Sequence, residues 1–175
     1  CLDDVVSFVL RRSLCGDSTR PYARWFVEAI RELGDDDPRP SLQRYFARRG
    51  WPNDDRFIQA ACVFPLYARE RRKTLLVLDS LERNLNAKEI IGDVGVSIEH
   101  VLPQTVGDDD HGASWKMALG DDWQSTHDRL IDVLGNLTLT AFNSELRNYD
   151  FATKRQELAN SKFLLNMVQV QERSY

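Results

Sequence analysis

The chain has 175 residues, of which 42% are hydrophobic and 29% charged, and a formal net charge of −4. This composition is ordinary for a globular protein, and the length suffices for one domain or a domain with a helical annex. No apolar run nears the ~20 residues of a membrane span and no signal peptide is visible, so the expectation is a cytoplasmic protein without a membrane partner.

The chain starts at Cys1 rather than Met, which reads as the C-terminal fragment of a longer protein. Cys1, Cys15 and Cys62 are widely spaced with no CxxC pair, which predicts buried, reduced thiols and argues against a zinc ribbon. Residues 1–95 hold 16 Lys and Arg against 15 Asp and Glu, whereas residues 96–175 hold 7 against 12. An acidic second half does not suit nonspecific coating of DNA, but it suits a metal site built on carboxylates.

The first half reads as helices. Leu2, Val5, Val6, Val9 and Leu10 recur at helical spacing up to Gly16. Pro21 opens a second helix, with Trp25, Phe26, Ala29, Ile30 and Leu33 as its stripe before Gly34. Asp35 to Pro40 reads as a turn-rich loop. A short helix follows through Leu42, Tyr45 and Phe46 to Gly50, and Asp54-Asp55 can cap another that Pro65 kinks or ends. A longer helix is expected over 70–85, with the cluster Arg69, Arg71, Arg72 and Lys73 at its start; such a cluster reads as a solvated basic face as readily as a phosphate contact.

After Gly92 the texture changes. Val94 to Ile98 is short and β-branched, a strand leading into Glu99-His100 before Pro103 forces a turn. Gly107 to Gly112 reads as a loop whose acidic run beside His111 is solvated. Helical pieces follow around 115–119 and 123–134, with His127 at the surface or partly buried and Trp115 and Trp123 as core anchors. Gly135-Asn136 breaks the second piece before a strand, Leu137-Thr138-Leu139. The pattern is helical again from Ala141, is interrupted at 148–150, and resumes with Asp150 capping a helix from Phe151. The fold class is therefore mainly α with a small two-stranded β element. The expected division is a helical subdomain over 1–92, a strand–strand–helix core over 93–160, and a C-terminal helix or tail over 161–175.

Adjacent Glu99 and His100, a strand opened by Asn136 and further Asn residues beyond it are the parts of a metal-dependent nuclease site. Phosphodiester hydrolysis needs a base to activate water and a cation to hold the phosphate and stabilise the leaving oxygen. A histidine held in one tautomer and a hard ion on oxygen ligands can supply both.

The segments Ile98-Glu99-His100-x-Leu102-Pro103-Gln104 and Leu134-Gly135-Asn136-Leu137-Thr138-Leu139, followed by Asn143, Asn148, Phe151 and Lys154, resemble the C-terminal nuclease domain of GmrSD-type modification-dependent restriction enzymes. That group includes SspE-type proteins, and the domain is similar to HNH, or His-Me finger, endonucleases. The resemblance covers residues 70–160 best. It implies a ββα-metal core in which His100 is the general base and Glu99 the acidic metal ligand. Asn136 would organise the loop that holds His100. Asn143 or its rival Asn148 would be the second metal ligand. Lys154, with Arg155 beside it, would face the DNA phosphate, or Lys154 would close the helix against the site. The implied cofactor is Mg²⁺ or Mn²⁺. The implied partners are DNA and an upstream nucleotide-hydrolysing, modification-sensing domain.

The leading reading is thus a metal-dependent, nicking DNA endonuclease domain of a bacterial anti-phage restriction system. Glu stands where HNH proteins more often have Asp, and this favours an alternative: a degenerate, non-catalytic module that binds DNA or a partner. An RNase of similar fold differs only in substrate.

Overall fold

The computed structural model describes residues 1–33, 37–85, 95–141 and 148–171, with side chains to 168. The chain divides into two compact units, Cys1–Phe64 and Pro65–Tyr175. The helix before residue 92, placed by sequence in the helical subdomain, falls in the second of these units. The expected helix after Ala141 lies largely outside the described residues.

The first unit contains α1 (Leu2–Leu14), α2 (Tyr22–Arg31), α3 (Pro38–Arg48) and α4 (Asp54–Val63). Phe8, Ala29, Leu42, Tyr45 and Phe46 are its buried core, with Phe8 and Phe46 stacked at 4.2 Å between ring centroids. Pro38 and Pro40, assigned to a loop by their composition, instead occupy the first turn of α3. The Asp37 side chain accepts from Arg39 N at 3.0 Å, and proline is tolerated where backbone N–H groups have no helical acceptor. The thiols are free but not buried as expected: Cys1 and Cys62 are exposed, and α4 buries none of its residues.

The second unit begins with α5 (Leu66–Leu85), whose backbone leaves helical geometry at Glu70 (φ −141°, ψ 47°). It continues with β1 (Ser97–His100), α6 (Asp110–Leu119), α7 (Trp123–Leu130), a 3-10 turn (Leu134–Asn136), β2 (Leu137–Thr140), α8 (Phe151–Ala159) and α9 (Leu164–Gln171). β1 and β2 are antiparallel, with Glu99 opposite Thr138 and His100 opposite Leu137. Cross-strand partners share a face and neighbours along a strand do not. Leu137 and Leu139 join Leu78 of α5 with Phe163 and Leu165 in one buried cluster. The Thr138 hydroxyl donates to Asn166 Oδ1 of α9, and Asn166 Nδ2 donates to Leu139 O at 3.1 Å.

The buried carboxylate of Glu82 accepts from Leu164 N at 3.0 Å and Leu165 N at 2.8 Å. It thereby satisfies backbone donors at the start of α9 and ties α5 to the C-terminal segment expected as a helix or tail. α6 starts at Asp110, earlier than the loop expectation, because Asp109 caps it by accepting from Gly112 N at 2.8 Å. Gly112 is required there, since a Cβ would lie 2.1 Å from the Gly107 carbonyl oxygen. α7 ends at Leu130 rather than 134: the Ile131 carbonyl accepts from Asn136 Nδ2 and the Asp132 carbonyl from Tyr67 N, so neither continues the helix ladder.

Candidate active site

Asn136 holds the backbone turn that follows His100. Its Oδ1 accepts from Leu102 N at 2.6 Å, and its Nδ2 donates to Leu102 O at 3.1 Å and to Ile131 O at 2.9 Å. Its own carbonyl accepts from Val101 N at 2.9 Å. The buried side-chain amide and the backbone carbonyl of Asn136 together satisfy these backbone groups and pin the turn that follows His100. From the other side, His127 Nε2 donates to the Pro103 carbonyl at 2.9 Å.

Beside His100 lies a cleft of about 310 Å³ lined by Tyr67, Arg71, Glu99, His100, Asn148 and Lys154, with Ile98, Pro103 and Gln104 completing it. Strand alternation sends Glu99 and His100 to opposite faces of β1, yet both are buried, 7% and 6% exposed. His100 meets α5: its ring stands edge-on to the Tyr67 ring, 4.6 Å between centroids at 84°. Its Nε2 is 3.5 Å from Asp132 Oδ1, beyond hydrogen-bond length, and this buried atom has no hydrogen-bond partner among the described residues. Burial holds the His100 pKa below its ordinary value; Asp132 opposes this, and the charges of Lys154 and Arg71 reinforce it. The ring is therefore neutral near pH 7.

The sign of this shift yields a prediction. Below about pH 6.5 the unfolded chain takes up a proton that folded His100 refuses, so stability rises with pH toward 6.5 and levels off above it. In His100→Gln the pH dependence of the unfolding free energy from urea titrations should flatten across that window, by at most ~1.4 kcal/mol per pH unit. An unchanged slope would show that His100 does not titrate as its burial requires.

Glu99 meets α8. Lys154, with no solvent exposure, donates from Nζ to Glu99 Oε1 and to the His100 carbonyl, both at 2.7 Å. Burial raises the Glu99 pKa and lowers that of Lys154; on both sides it outweighs the opposing ion pair. Lys154 thus closes α8 onto β1. With no exposure and two internal acceptors, this ammonium is engaged inside the domain. Arg155 is exposed on α8. Asn148 is exposed at the cleft wall, and Asn143 lies outside the described residues.

The cleft's described ligands are hard oxygen donors: the Glu99 carboxylate, of which Oε1 already bonds Lys154, and the amide oxygens of Asn148 and Gln104. Such donors suit Mg²⁺, which takes one or two carboxylates and keeps several waters. Among the described residues no group of three or more His, Cys, Asp or Glu could hold a metal. His111 pairs with Asp150 instead, 2.7 Å from Nδ1 to Oδ2, at the cap of α8.

Tyr67, Asp132 and Arg71 escaped the sequence reading; Tyr67 carried no signal of its own. Asp132 bore no motif, although an oxygen acceptor for His100 was required, and an acid just before the Gly135-Asn136 break was the available signal. Arg71 was hidden in a basic cluster in which only its position on α5 distinguishes it.

A family model described as GmrSD restriction endonucleases, C-terminal domain, matches residues 51–174. No curated protein and no solved structure matches the chain. Among the described residues no helix is long and apolar enough to cross a membrane.

Proposed function

The chain belongs to the family of C-terminal domains of GmrSD restriction endonucleases, and from that premise we propose that it is a metal-dependent DNA endonuclease domain with a ββα-metal core, in which His100 is the general base. The observation that carries this reading is a neutral, buried imidazole at a cleft wall, with a carboxylate near one ring nitrogen and hard oxygen donors beside it.

His100 takes the proton of the attacking water, and Asp132 stabilises the imidazolium that forms. Asn136 keeps the ring in place by fixing the turn after it. Lys154 aims the Glu99 carboxylate and, through the His100 carbonyl, the strand end itself. Glu99 with Asn148 or Asn143 would hold Mg²⁺ or Mn²⁺, which supplies positive charge for the phosphate and the leaving oxygen. A single such base acts on one strand, so the product is a nick. The biological setting consistent with this chemistry is a modification-dependent, anti-phage restriction system, in which an upstream nucleotide-hydrolysing domain supplies recognition.

Supercoiled plasmid incubated with the protein and Mg²⁺ or Mn²⁺ should become relaxed, and chelation with EDTA should stop the reaction. Intact plasmid under both metals would overturn the enzyme reading. Lys154's hold on Glu99 favours the other reading, a non-catalytic module, for which a Mg²⁺ titration would show no saturable binding.

A further inference from the structure

We propose that Arg71 anchors the substrate's phosphate in the His100 cleft, a binding role that rests on the nuclease reading above. Arg71 lines the cleft with Glu99, His100 and Asn148. Its guanidinium carbon lies 5.2 Å from the centroid of the Tyr67 ring. That same ring meets His100 edge-on, so one aromatic side chain fixes both the cation and the base on a single wall. A cation–π contact with a ring does not use up the N–H donors of a guanidinium, whose fork matches two phosphate oxygens.

The electrostatics point the same way. Lys73 pairs with Glu70 at 2.9 Å and Lys154 with Glu99 at 2.7 Å, whereas Arg71 has no carboxylate partner among the described residues. The break at Glu70 begins a new helical segment at Arg71, whose positive dipole end therefore lies at the cleft wall. A cation at the positive end of a helix is unfavourable in the free protein, and a bound phosphodiester relieves it. Basic residues at this helix start thus divide by position: Lys73 is neutralised locally, and Arg71 is left for an anion.

The test measures binding of a labelled DNA duplex by the full chain, in EDTA, across a series of salt concentrations. Arg71→Ala should weaken binding roughly tenfold and lower the slope of log affinity against log salt by about one. Arg71→Lys should keep the slope while losing part of the affinity, because a point charge replaces a fork. Arg72→Ala, on the exposed face of α5, should change the affinity less than Arg71→Ala. The slope is insensitive to a partly misfolded sample, so a lowered slope reports a lost phosphate contact. Unchanged affinity and slope in Arg71→Ala, with a wild-type chain that cleaves DNA, overturn the anchor and leave the nuclease reading standing. A chain that neither binds nor cleaves overturns both.

Discussion

His100→Ala is expected to lower metal-dependent plasmid cleavage by about 10²- to 10⁴-fold, the usual worth of a positioned general base. The expectation rests on a ring that is neutral at pH 7 and held against Tyr67, with its Nε2 near Asp132. Truncating a buried ring also leaves a cavity, so His100→Gln, which keeps more of the volume, should be assayed beside it. Both variants should retain the wild-type circular dichroism spectrum and Mg²⁺ affinity, since neither removes a proposed ligand. Cleavage by His100→Ala within threefold or so of wild type would sink the assignment of the base.

Lys154→Met is expected to produce the largest loss of stability, about 3–5 kcal/mol, because it leaves the Glu99 carboxylate buried without its cation. The His100 carbonyl loses a donor in the same change. The two influences that hold the Glu99 pKa down are both Lys154, so in the variant burial acts alone and the pKa rises further. A raised folded pKa means stability that is present below the unfolded value and lost as pH rises through the folded one. The variant should therefore be most nearly stable in acid and weaken toward neutrality. Adding Glu99→Gln should recover much of the loss, since the buried charge is then gone. Urea titrations of the two single variants and the double variant measure this directly. A Lys154→Met protein as stable as wild type at pH 7 would show that the buried pair contributes nothing.

Most helices were legible because their signals are local. Apolar residues at helical spacing marked α1 and α2, and Asp150, a capping residue, marked the start of α8. Where local signals compete, the reading shifted by a few residues. Pro38 and Pro40 looked like loop residues until Asp37 capped them, and 131–134 looked helical although the Asn136 and Tyr67 donors claim its carbonyls. The segment 161–175, expected as a helix or tail, contains α9, which Glu82 anchors from 82 and 83 residues away. No window of sequence contains that bond.

The candidate site divides along the same line. The sequence by itself determined the chemistry available: an acid and an imidazole side by side on a strand, an asparagine at the break before the second strand, and the motif order of the family. Those are short-range facts, written in adjacent residues. Only the tertiary structure decided how each group is used. Strand alternation sends Glu99 and His100 to opposite faces, so different helices must complete each of them. α8 brings Lys154 to Glu99 across 55 positions, and α5 brings Tyr67 and Arg71 to His100. Whether a lysine meets a phosphate or a buried carboxylate depends on its desolvation. Desolvation is a property of the packed helix against the sheet and of no residue alone.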